Sequence, residues 1–88
     1  MKEEHYWNYM NGYAIKLWNW NEIFGEYYPD VTWFDSYGQA MEVVDSFKVT
    51  DDTPCLELFT ATMDKYGQYG LDDKLMVIDN LGKHYDDL

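Results

Sequence analysis

An α+β domain, built as one small antiparallel sheet with a single helix packed on one face, is the fold class this 88-residue chain predicts. Three observations lead there. Aromatic residues, which favour strands, make up 19% of the chain. Only one segment, Tyr37 to Phe47, combines helical spacing of its apolar residues with a cap at its start. Turn-forming residues divide the remainder into short runs, giving the order β-β-β-α-β-β in one domain over residues 1–88.

The first two strands are Tyr6 to Met10 and Tyr13 to Trp20, joined at Asn11-Gly12, a dipeptide suited to the type I′ hairpin turn. That register sets Met10 against Tyr13 and Asn8 against Ile15. A helix across residues 5–28 competes, because Tyr6, Met10, Tyr13, Leu17, Trp20, Phe24 and Tyr27 are spaced alternately four and three apart. Gly12, Gly25 and four asparagines weigh against it. A turn at Glu22 to Gly25 leads to a third strand, Val31-Thr32-Trp33-Phe34, with Pro29 near its start. Asp35 or Ser36 caps the helix, whose Ala40, Val43, Val44 and Phe47 share a face. The break at Thr50 to Pro54 opens the strand Cys55 to Met63. A loop from Asp64 to Asp73 precedes the last strand, Lys74 to Ile78, which Asn80 and Gly82 end; the tail through His84, Tyr85, Asp86 and Asp87 is read as frayed.

Charge bounds the function. Seventeen acidic residues stand against six basic ones, all lysine, for a formal net charge of −11. Such a surface is repelled by phosphate backbones and anionic membranes and drawn to proteins whose working surfaces are basic. Aromatic stacking of single-stranded bases is disfavoured on the same ground. One cysteine, Cys55, forms no internal disulfide and fits a reducing compartment. The opening residues lack the apolar run of a signal peptide, and no stretch reaches transmembrane length, so the chain reads as soluble and cytoplasmic.

No catalytic chemistry stands out, and the expectation is not an enzyme. The adjacent acids Asp51-Asp52, Asp72-Asp73 and Asp86-Asp87 read as solvated loops, and residues 64–73 lack the ligand pattern of an EF-hand. Cys55, His5 and His84 are isolated from one another, so neither a metal nor a cofactor is expected. Nothing cationic near Cys55 in sequence activates its thiol. Gly67 and Gly70 lack the lysine and serine of a phosphate loop. Most aromatics fill the core, with protein contact their next use and sugar binding a distant third.

In size, acidity and aromatic content the chain resembles the small phage and mobile-element proteins that disarm host defences, the anti-CRISPR proteins and antirestriction DNA mimics. The resemblance lies in composition and layout and transfers no individual residue. It implies a stoichiometric inhibitor of a CRISPR effector or a restriction or repair nuclease in a bacterial host. Acidic residues mimicking nucleic acid would occupy the enzyme's basic groove. The partner-binding acids expected are Glu22, Glu26, Asp30 and Asp35 in one segment and Asp64, Asp72 and Asp73 in another. Trp18, Trp20 and Trp33, placed on the sheet face away from the helix, are the expected anchors. The alternative is an adaptor module that associates through that aromatic face or an edge strand, with itself as a homodimer or with another protein.

Overall fold

The computed structural model describes residues 9–85. Its elements are β1 (Tyr9–Asn21), β2 (Glu26–Phe34), α1 (Tyr37–Ser46), β3 (Cys55–Asp64), β4 (Tyr69–Asp79) and β5 (Gly82–Tyr85). The strands form one antiparallel sheet in the order β2-β1-β3-β4-β5. The predicted class is the observed one, with five strands and one helix. Along the chain the order is β-β-α-β-β-β, one strand fewer before the helix and one more after it.

Each end of the chain supplies a reason. At Asn11-Gly12 there is no turn, and β1 runs straight through. A type I′ turn needs positive φ at both central residues, whereas among the described residues those with positive φ are Gly25, Gly67 and Gly82. Gly12 is instead a point of close approach. A Cβ there would lie 2.6 Å from the Phe34 carbonyl oxygen and closer still to the Trp33 ring. Met10 therefore pairs with Met63 and Ile15 with Leu58, not with Tyr13 and Asn8. The part of the expected first strand from Tyr6 to Asn8 lies outside the described residues. The helical spacing between Met10 and Tyr27 is likewise overridden by the ladders of β1.

At the other end, Asn80 and Leu81 reverse the chain where termination was expected. Gly82, at φ 115°, starts β5, which pairs Asp79 with Gly82 and Met76 with Tyr85. His84 and Tyr85 are thus an edge strand and not a frayed tail; Asp86 and Asp87 lie outside the described residues.

Ser36, not Asp35, caps α1. Its backbone is extended (φ −133°, ψ 154°) and its hydroxyl accepts from the Gln39 amide at 3.2 Å, satisfying a donor the first turn leaves free. The helix is the crossover between β2 and β3, two parallel strands separated by β1. Ala40 and Val44 press onto Ile15, Leu56, Leu58 and Met76 to make the core. Each of those four large side chains contributes about 1.5–3 kcal/mol of transfer free energy. Register shifts in the β3–β4 ladder from Leu58 to Ala61 let adjacent Leu75 and Met76 both reach this core.

Among the described residues no helix covers the opposite face. Ala14 and Ala61 alternate with the core residues along their strands, and so point away from α1, yet they are 0% and 2% exposed. On the same face, side chains of the sheet pack on one another. Trp33 of β2 lies on Gly12 and meets Tyr69 of β4 at a centroid distance of 5.4 Å, while the Tyr69 hydroxyl donates to the Val31 carbonyl at 3.3 Å. At the outer edge, Pro29 interrupts the row of donors on β2, which blunts pairing with another strand.

Replacing Gly12 with alanine therefore overpacks the contact with Trp33 and the Phe34 backbone. The expected cost is about 1–3 kcal/mol in urea unfolding. A variant with an unchanged midpoint would mean that Trp33 does not occupy the space over Gly12.

Candidate protein-interaction surface

The ladder between β1 and β3 ends at Trp18 and Cys55, but β1 and β2 stay paired as far as Asn21 and Glu26. The hairpin consequently extends past β3 as an arm. Its base is tied to the loop before β3: the Trp20 amide donates to Asp52 O at 2.7 Å, the Tyr27 hydroxyl to Asp51 O at 2.9 Å, and the Thr53 hydroxyl to Asn19 Oδ1. Its tip is built by Asn21. That side-chain oxygen accepts from the Ile23 and Phe24 amides at 2.9 and 3.1 Å, and the Asn21 carbonyl accepts from Gly25, at φ 68°. The turn needs only Asn21 and Gly25, and it leaves Ile23 87% and Phe24 66% exposed. Behind them Phe24 packs edge-on against Tyr28 and Trp20 against Tyr27, at 5.7 and 5.0 Å between centroids.

The expected acids separate into two groups at opposite ends of the strands. Glu22 lies at the arm's tip, Glu26 starts β2 beside it, and Asp30 lies farther along the same edge. At the far end, Asp35, Asp72 and Asp73 line one open depression of about 680 Å³ with Tyr13, Ser36 and Tyr37; Asp64 and Asp72 border a shallower one next to it. The segment from Asp64 to Asp73 is not a loop throughout. Its turn is confined to residues 65–68, and Asp72 and Asp73 belong to β4, at the irregular stretch opposite Thr60.

Several of these carboxylates are held by neutral donors. Asn19 donates to Asp30 at 2.6 Å, the Tyr28 hydroxyl to Glu26 at 3.0 Å, the Trp33 indole to Asp35 at 2.8 Å and the Thr62 hydroxyl to Asp72 at 2.7 Å. The bond to Glu26, and after it desolvation, raises the Tyr28 phenol. Asp64 is committed to its own turn, accepting from the Tyr66 and Gln68 amides. Among the described residues the only lysine–carboxylate pair is Lys74–Glu57 at 3.2 Å, and Glu57 lies in the sheet, away from both acidic groups.

The three tryptophans share the face away from α1, as their register requires, but differ in surroundings. Trp18 is half-buried: its indole donates to Glu57 at 3.0 Å and Lys16 Nζ lies 5.1 Å above its ring. Trp33 is half-buried over Gly12. Trp20 alone is exposed, at 40%. Burial pushes the Glu57 carboxyl up, but the bonds from Trp18 and Lys74 and the charges of Lys74 and Lys16 outweigh it and hold Glu57 below its ordinary value. Burial also pushes the Cys55 thiol up, reinforced by the charges of Glu57 and Asp79 against a counteracting Lys74, which leaves it a poor nucleophile at neutral pH. Among the described residues no three His, Cys, Asp or Glu side chains group to hold a metal, and no helix is long and apolar enough to cross a membrane.

Sequence reasoning placed a turn at Glu22 to Gly25 but passed over Ile23 and Phe24. The available signal was two large apolar side chains inside a tight turn, where polar residues are the rule. No family model, curated protein or solved structure matches this chain.

Because the folded value of Glu57 is depressed, its contribution to stability is complete above the ordinary value of 4.5 and is lost as pH falls through the lower folded value. The thermal midpoint of wild type should therefore exceed that of Glu57→Gln at pH 7, and the gap should close at acid pH. A gap of equal size at pH 7 and at acid pH would contradict the pairing with Trp18 and Lys74.

Proposed function

We propose that this chain is a stoichiometric inhibitor of a nucleic-acid-handling enzyme, of the anti-CRISPR or antirestriction kind, acting in the bacterial cytoplasm. It presents nucleic-acid-like rows of fixed carboxylates to the enzyme's basic groove. One observation carries the reading: four of these acids, Glu26, Asp30, Asp35 and Asp72, are oriented by tyrosine, asparagine, tryptophan and threonine and not by lysine. Their positions are set while their charge stays uncompensated, as a duplex fixes its phosphates. The body measures 49 × 32 × 23 Å, and its long axis corresponds to roughly 14 base-pair steps at 3.4 Å each. Long-range attraction speeds encounter with a basic partner, and apolar contact sets how long the complex lasts.

A second reading, an adaptor that self-associates, is favoured by the exposed aromatics of the β1–β2 arm. Pairing through the β2 edge is disfavoured by Pro29. Sedimentation separates the two readings, since an adaptor of this kind forms a concentration-dependent dimer that is indifferent to salt and is lost on Trp20→Ser.

The test of the inhibitor reading is affinity capture from bacterial lysate with the tagged chain, eluted by a salt gradient. A nuclease or other nucleic-acid enzyme should be released as salt rises and be displaced by added DNA or RNA. With that enzyme in hand, the neutral isosteres Glu26→Gln, Asp30→Asn, Asp35→Asn and Asp72→Asn, combined, should slow association at least tenfold at low salt and flatten its salt dependence. Binding that ignores ionic strength would sink the reading.

A further inference from the structure

We propose that the tip of the β1–β2 arm, Ile23 with Phe24, is an apolar plug for a pocket bordered by lysine or arginine on the partner enzyme. The inference rests on the inhibitor reading above and adds to it the place where the complex is anchored. Three features of the tip agree. Its two large apolar side chains are the most exposed of the arm, and neither belongs to the core. Their backbone is fixed in advance by the Asn21 side chain and by Gly25, so little ordering entropy opposes insertion. The arm projects beyond β3 and is braced at its base by Asp51, Asp52 and Thr53, which gives it the reach to enter a recess.

The charge around the tip selects the occupant. Glu22 directly precedes Ile23, Glu26 follows Phe24 after Gly25, and the loop that braces the arm carries Asp51 and Asp52. No lysine lies on the arm between Asn19 and Tyr28. An apolar pocket with a basic border complements this pattern. A second copy of the chain does not, because docking tip to tip would bring the same carboxylates together. Apolar insertion at the centre with charge at the rim is the arrangement in which a few residues dominate affinity.

The probe is the enzyme purified from the salt-gradient capture, and the full-length chain is measured against it by surface plasmon resonance. Ile23→Ser/Phe24→Ser should raise the dissociation rate at least tenfold, with the association rate and its salt dependence within twofold of wild type, because no charge has been altered. Phe24→Leu should retain most of the wild-type residence time. Both variants should stay folded with thermal midpoints within a few degrees of wild type, since neither side chain is part of the core and Phe24 gives up only its edge contact with Tyr28. Wild-type dissociation from the double variant, with binding still steeply salt-dependent, would overturn the plug and leave the inhibitor reading standing. A capture that yields no salt-released nucleic-acid enzyme would overturn both.

Discussion

The absent side chain at Gly12 is the constraint on which the sheet face away from α1 depends. It lets the Trp33 indole settle against the backbone of β1, from where it meets Tyr69 and helps to bury a lane of alanines. Among the described residues one helix packs on a five-stranded sheet, and it covers a single face. On the other, aromatic side chains are laid over small residues. With that face occupied, the exposed surfaces include the arm, the acidic ends, the two edges and the outer side of α1.

Charge is distributed to suit this arrangement. Lys16 and Lys74 lie on the face away from α1, around Glu57 and Trp18, where they hold down aromatic rings and one carboxylate. Most of the remaining acids lie toward the ends of the strands or on loops, where distance and solvent relax the self-repulsion of a chain at −11. Neutral donors then orient the outer carboxylates without cancelling them. The exposed pair at the arm's tip, Ile23 and Phe24, stands apart from the residues that make the core.

What the sequence revealed was what local chemistry decides. Ser36 ahead of Ala40 and Val44 marked the helix, the alternation through Leu56 and Leu58 marked β3, and Glu22 to Gly25 marked the turn. What it hid depended on neighbours far along the chain. Asn11-Gly12 has every local property of a hairpin turn, and only Trp33, distant in sequence, explains a glycine inside a strand. Gly82 looked like a terminator because the strand it begins can form only against a completed β4. The same limit applies to the surface. The three tryptophans were rightly assigned to one face, but whether an indole is roofed, as Trp18 and Trp33 are, or open, as Trp20 is, follows from Lys16, Glu57 and Tyr69 on other elements and from the missing side chain of Gly12.

The pairing of β1 with β3 has a consequence for how the molecule comes into being. Tyr9 pairs with Asp64 and Trp18 with Cys55, so one whole edge of the first strand waits for a segment made after the arm and the helix. During synthesis the β1–β2 hairpin emerges early with Ile15 and Leu17 lacking their partners Leu58 and Leu56, and the helix has only half a sheet to rest on. Contacts so remote in sequence delay folding, because a long loop must close before any of them is rewarded. The nascent chain therefore passes through a stage in which β1 has a bare edge, and its strong negative charge keeps such chains apart until β3 arrives.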